Sequence, residues 1–148
     1  MKTLKILAVA VLAMAAGEPP MPKTVESWEG VFTVHDSHIA IRIRDMPVVY
    51  MWIYELASGS KGTPIGFSDE KGAVLQAATP NEKGVQPIYK DHVVSVNDDG
   101  TADIFVMYSV QGNGAMKMVE KYVYDGKTLV LKSTTMNGGK PEFEWFRQ

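Results

Sequence analysis

Four Asx-Gly pairs fall at near-equal steps through the second half of the chain: Asp99-Gly100, Asn113-Gly114, Asp125-Gly126 and Asn137-Gly138. The segments between them are rich in Val, Ile, Tyr, Phe and Thr. Such pairs favour tight hairpin turns, because a type I′ turn needs positive φ at both central residues. The pattern predicts consecutive antiparallel strands over 101–111, 115–124, 127–136 and 140–147. Strands of about ten residues exceed the usual five or six and suit a barrel.

Upstream, 28–34 reads as a strand. The segment 39–44 (IAIRIR) alternates, with Ile39, Ile41 and Ile43 on one face and Arg42 and Arg44 on the other. The β-branched and aromatic run 48–56 reads as strand. Residues 59–64 read as a loop. Residues 68–78 fit either a short helix capped by Ser68 or a hairpin turning at Lys71-Gly72. Thr79-Pro80-Asn81-Glu82 has capping-box spacing but meets Gly84 so soon that a single turn is expected. Strand signal resumes over 85–89 and 92–97.

The chain has 148 residues, enough for one domain with a core. Its net charge of −2 offers no basic footprint for nucleic acid or anionic membrane. Lys2 and Lys5 flank an apolar run from Ile6 to Ala16, with Ala13 and Ala15 at −3 and −1 of a cut before Ala16. Residues 1–15 therefore read as a secretory signal peptide, the alternative being a buried N-terminal helix. The run is too short to span a bilayer, so no membrane span is expected in the mature form, which would be periplasmic or secreted. Residues 16–26, with Pro19, Pro20 and Pro22, read as an extended, mobile leader, and 27–148 as a single domain. The chain has no cysteine, so an exported domain of this sequence must hold together by its core alone.

Turn placement predicts register. A two-residue loop at Asp125-Gly126 pairs Tyr124 with Lys127, Tyr122 with Leu129 and Glu120 with Leu131. Cross-strand partners share a face, so Met116, Met118, Glu120, Tyr122, Leu129, Leu131 and Ser133 face inward, with Lys117, Lys121 and Lys132 outside. A three-residue loop, Asn137-Gly138-Gly139, sets Leu131 against Trp145 and Ser133 against Phe143. By the same parity Phe105, Met107, Ser109 and Gln111 face in. Their neighbours Ile104, Val106, Tyr108 and Val110 are also apolar, so the leader, a loop or a second copy in a homodimer should cover that strand's outer face.

This layout resembles the lipocalin and fatty-acid-binding superfamily of small ligand-binding barrels. The shared features are an early Trp (Trp28), a late Arg (Arg147), DG-turned meander strands, and a mature length near that of those barrels. The resemblance implies an all-β fold, an up-and-down antiparallel meander closing into a barrel of about 8–10 strands. It also implies that Trp28 packs under Arg147 to close one end, a cation–π contact worth roughly 0.5–2 kcal/mol.

The expected interior is then Phe105, Met107, Met116, Met118, Glu120, Tyr122, Leu131 and Trp145. A small, largely apolar molecule is the expected ligand, with Glu120 or Arg147 as its polar contact. The other reading pairs those two charges structurally inside a filled barrel that serves as an interaction module or enzyme inhibitor of the cell envelope. Exposure of Tyr50, Trp52 and Tyr54 would fit that role. No catalytic motif is present: there is no Cys nucleophile, GxSxG, phosphate loop or HExxH. His35, Asp36 and His38 have metal-ligand side chains, but residues three apart on a strand diverge, so His35 and His38 converge only if the segment turns, and a third ligand such as His92 or Asp36 would be needed. No metal or cofactor is expected.

Overall fold

The computed structural model describes residues 19–20, 37–55, 58–59, 61–77, 86–111 and 116–136. The expected strands 28–34 and 140–147 lie outside the described residues, as do the signal segment, the turn at 79–82, Trp28, Trp145 and Arg147.

The described chain is all-β. Its eight strands are β1 (Ser37–Ile41), β2 (Val49–Glu55), β3 (Lys61–Ser68), β4 (Val74–Ala77), β5 (Gln86–Val96), β6 (Ala102–Gln111), β7 (Met116–Tyr124) and β8 (Leu129–Met136). They form two four-stranded sheets in sequential order, β1-β2-β3-β4 and β5-β6-β7-β8. Every pairing is antiparallel. Among the described residues no ladder joins the two sheets into one barrel.

Several local expectations change. β1 ends at Ile41, because Arg44 adopts φ +42° in a turn where the Met46 N–H donates to the Ile43 carbonyl at 2.9 Å. Ile41 and Ile43 are still both buried in one cluster. Residues 61–64, read as loop, begin β3; the register slips where Ile53 meets Pro64, an irregularity that accommodates the residue with no N–H to give. Residues 68–77 form a hairpin rather than a helix; residue 78 lies outside the described residues. The two strand signals at 85–89 and 92–97 belong to one eleven-residue strand with a bulge between Tyr89 and Asp91.

The turns depend on glycine, but not as type I′ turns. Among the described residues, Arg44 is the sole non-glycine with positive φ. At Asp98-Asp99-Gly100 only Gly100 is left-handed (φ +87°), and the Asn97 N–H donates to the Thr101 carbonyl at 2.8 Å. This is a three-residue hairpin loop with its glycine in the third place. Glu70-Lys71-Gly72 repeats it, with Asp69 N–H donating to the Ala73 carbonyl at 2.9 Å. The β7–β8 loop is centred on Gly126-Lys127, one residue later than expected, with glycine in the first central position. In all three turns an aspartate carboxylate collects backbone amides: Asp69, Asp99 and Asp125 accept at 2.7–2.9 Å.

The sheets face each other across one core. Ile41, Val49, Met51, Ile53 and Phe67 from the first pack on Ala102, Ile104, Val106, Tyr108, Tyr122, Tyr124 and Leu129 from the second. The Phe67 and Tyr122 rings meet edge-on at 4.7 Å. Each fully buried aliphatic or aromatic side chain contributes roughly 1.5–3 kcal/mol, which is how a chain without disulfides holds two sheets together. At one end the Tyr124 hydroxyl donates to the Pro47 carbonyl at 3.2 Å and ties the β7 terminus to the β1–β2 loop.

The outer faces are also apolar in places. Trp52, Tyr50, Val48 and Ile65 form a buried cluster on the far side of the first sheet, where the Trp52 indole N–H donates to Ser68 Oγ at 2.7 Å. On the far side of the second sheet Phe105, Met107 and Val119 form a third cluster.

Candidate functional site

The register of the second sheet fixes which side chains share its inner face. Ala102 stands opposite Tyr124, Ile104 opposite Tyr122, Val106 opposite Glu120, and Tyr108 opposite Met118. This differs by one residue from the expected pairing, and in a strand one residue reverses the face. Phe105 and Met107, expected inside with Glu120, therefore lie on the other face, where Phe105 stands opposite Lys121. Lys121 Nζ sits 5.6 Å over the Phe105 ring and 3.8 Å from Asp103 Oδ2. That face is thus not a plain solvated lysine face; it carries the Phe105, Met107 and Val119 cluster.

Between β7 and β8 the error is two residues, which preserves the face. Tyr124 pairs with Leu129 and Tyr122 with Leu131. A bulge at Lys121/Tyr122 then sets Glu120 opposite Thr134 and Lys121 opposite Ser133, so Ser133 leaves the inner face where it was expected. On β5 the bulge brings Tyr89 and His92, three apart, to one face: Tyr89 pairs with Tyr108 and His92 with Val106.

The inner face of the second sheet consequently runs in rows: Val96–Ala102–Tyr124–Leu129, Val94–Ile104–Tyr122–Leu131, His92–Val106–Glu120–Thr134, and Tyr89–Tyr108–Met118–Met136. The first row is closed from Ala102 through Tyr124 to Leu129, at 0–2% exposure, with Val96 half-buried at its edge. Toward the last row the flanking strands open, while Val106 and Tyr108 on β6 stay fully buried. Met118, Met136, Leu131, Glu120, Tyr89 and His92 are half-buried, and Thr134 is exposed.

A polar niche lies in this half-open end. The Tyr122 hydroxyl donates to Glu120 Oε2 at 2.8 Å. Burial pushes the Glu120 carboxyl above its usual range, against the opposing pull of the hydroxyls of Tyr122 and Tyr108. Tyr108 is fully buried and its hydroxyl has no hydrogen-bond partner of sound geometry, although Glu120 and Tyr122 face it. Burial, and then the Glu120 charge, drive the phenols of Tyr108 and Tyr122 far up. A second orphan, Ser37 Oγ, stands on β1 opposite Ile53, at the strand end away from the turn that meets Tyr124. At the rim Tyr89 Oη and His92 Nδ1 share a 2.8 Å hydrogen bond, with Lys61 Nζ 5.8 Å over the Tyr89 ring. Burial and the Asp91 charge raise the Tyr89 phenol to about 12. Burial lowers the His92 imidazole and Lys61 adds to this, while Asp91 opposes it.

Of the residues expected at the site, the structure brings Met118, Glu120, Tyr122 and Leu131 together, and Met116 holds the next register position, opposite Val110. It separates Phe105 and Met107 from them. Tyr108, Tyr89 and His92 were not expected there. Their signals were weak: a single-residue slip for Tyr108, and an unmarked bulge for Tyr89 and His92. His35 and Asp36 lie outside the described residues. His38 packs on the far face of the first sheet, 5.6 Å from Tyr50 and 5.1 Å from Trp52 between ring centroids. No group of three metal-ligand side chains occurs among the described residues.

A separate open cleft of about 390 Å³ lies at the closed end, between Pro47, Glu70, Lys71, Leu75, Tyr124 and Lys127. Its acids already serve the fold: Glu70 Oε1 accepts from the Val48 N–H at 3.3 Å, and Asp69 accepts two turn amides.

By fold and site, this is an all-β protein of two facing antiparallel sheets, with an acid and two phenols set into the open end of its core. No family model matches the chain, and neither a curated protein nor a solved structure matches it.

Proposed function

We propose that this is an exported small β-barrel protein that holds a small, largely apolar molecule in the half-open end of its interior. Met118, Leu131, Tyr122 and Tyr108 would line the apolar part, and Glu120 would supply the polar contact. In this reading the two sheets close as a lipocalin-like barrel, with Trp28 and Arg147 at one end.

The observation that carries the reading is the gradient along the inner face, from a sealed row at Ala102 and Tyr124 to half-buried Met118, Met136 and Glu120. Methionines in a partly open apolar surface adapt to varied shapes, and binding sites combine such surfaces with a few convergent polar groups. Native mass spectrometry of the protein purified from its own host, followed by organic extraction, tests it. A stoichiometric apolar passenger is the expected result; a protein that is empty from its host argues against a carrier.

One observation favours the second reading, a filled module that works through its surface. Apolar clusters occupy the far faces of both sheets, around Trp52 and around Met107. An empty dimer in the same experiment would support it.

A further inference from the structure

We infer that the polar group of the molecule held at the open end is a cationic amine, borne on an apolar body. This deepens the carrier reading and rests on it. Glu120 is an acid set into the core, and its contacts are the phenols Tyr122 and Tyr108. Among the described residues no lysine or arginine pairs with it. Lys117 and Lys121, on the same strand, alternate to the other face, where Lys121 meets Asp103. Lys61 sits over Tyr89, and His92 is two strands away in the Glu120 row.

An acid in an apolar setting must be paired or neutralised, and among the described residues this one meets no cation. A ligand ammonium would supply the missing charge. Its N–H groups would also find acceptors: the second carboxylate oxygen, and the Tyr108 hydroxyl, which is wholly buried and faces Glu120 without a hydrogen bond of sound geometry. The aromatic rings at hand, Tyr108 and Tyr122 with Phe67 4.7 Å from the latter, suit a cation electrostatically. Met118, Met136 and Leu131 would take the apolar body. A neutral alcohol could partner Tyr108 but would leave the acid unmatched, and a carboxylate would meet a like charge.

Isothermal titration of octylamine, octanol and octanoate into the purified protein at neutral pH separates these chemistries. Octylamine should bind at least about tenfold more tightly than octanol, and octanoate weakest. Glu120→Gln keeps the side chain's shape and should remove the preference, bringing octylamine down to the level of octanol. Tyr108→Phe, which adds no new polar atom, should weaken octylamine by a smaller factor. Lowering the pH toward the carboxyl range should weaken octylamine in the parent but not in Glu120→Gln. Octanol or octanoate binding as tightly as octylamine would overturn the amine inference and leave the carrier reading standing. Binding by none of the three would remove the carrier reading, and the inference with it.

Discussion

The Tyr122 hydroxyl donates to Glu120 Oε2 at 2.8 Å from two residues along the same strand, inside the core rather than at its surface. Two residues apart on a strand means one face, so β7 itself delivers both the acid and its donor. A hydrogen bond to a group that can ionise contributes roughly 1.5–3 kcal/mol. Tyr122→Phe should therefore lower stability by about that amount in urea denaturation, most at a pH where Glu120 is ionised. A loss that is the same at every pH would show the ring's packing, not its hydroxyl, to be responsible.

The same carboxyl predicts a pH dependence. Burial raises the folded-state pKa of Glu120 above its unfolded value. The folded state then binds the proton more tightly, so this group's penalty is full above the raised pKa. The penalty is relieved as pH falls through the raised value toward the unfolded one near 4.5. Glu120→Gln should be more stable than the parent at neutral pH, and the gap should shrink as the pH approaches that range. Urea titrations of both proteins across several pH values check the sign.

Tyr108 gives a test in the opposite sense to most core substitutions. Its hydroxyl is buried and faces Glu120 and Tyr122 without a hydrogen bond of sound geometry to either, and an unmet buried polar atom costs about 1–3 kcal/mol. Tyr108→Phe should raise the melting temperature of the ligand-free protein. A fall in melting temperature would mean that the hydroxyl has a partner in solution.

Ser68 is the one fully buried polar residue among the described ones, and its Oγ accepts the Trp52 indole N–H at 2.7 Å. Gly66 stands opposite Trp52 and leaves that diagonal approach open. Ser68→Ala should cost about 1–2 kcal/mol in denaturant titration, with a change in tryptophan emission. An unchanged midpoint would show that the bond adds nothing to stability.

Gly72 and Gly100 occupy matched turn positions with φ of +82° and +87°. An alanine at either meets the left-handed penalty of roughly 1–2 kcal/mol. At Gly100 the added methyl meets open space, whereas at Gly72 it would lie 3.0 Å from the Pro20 carbonyl oxygen and 3.2 Å from Pro20 Cγ. Gly72→Ala should therefore lower the melting temperature more than Gly100→Ala, and Pro20→Gly should reduce the difference. Equal losses in the two variants would show that Pro20 does not pack on this turn in solution.

Much of the fold was legible because its causes are local. The Asx-Gly pairs marked the turns at 98–100 and 125–128, since glycine alone readily adopts the backbone they need. Alternation along β1 placed Ile39 and Ile41 together. What misled the reading was also physical. Gly62, Pro64 and Gly66 look like loop residues, yet they sit in β3, where pairing with β2 and a register irregularity override their propensities. The glycine in a turn does not by itself say whether it takes the first or the third loop position. At β7–β8 that ambiguity moved the pairing by two and spared the face; at β6–β7 the slip was one, and it exchanged Phe105 and Met107 for Ile104, Val106 and Tyr108 on the core side.

The sequence by itself determined an all-β chain, the positions of β6, β7 and β8, and the presence of Glu120 and Tyr122 on one strand face, because turn chemistry and the two-residue period are properties of neighbouring residues. Only the tertiary structure decided that the strands divide into two facing sheets, that Tyr108 and not Met107 stands beside Glu120, and that a bulge swings His92 onto the Tyr89 face. These depend on register, and register is settled by the sum of burial over both faces of paired strands, a quantity no single segment contains.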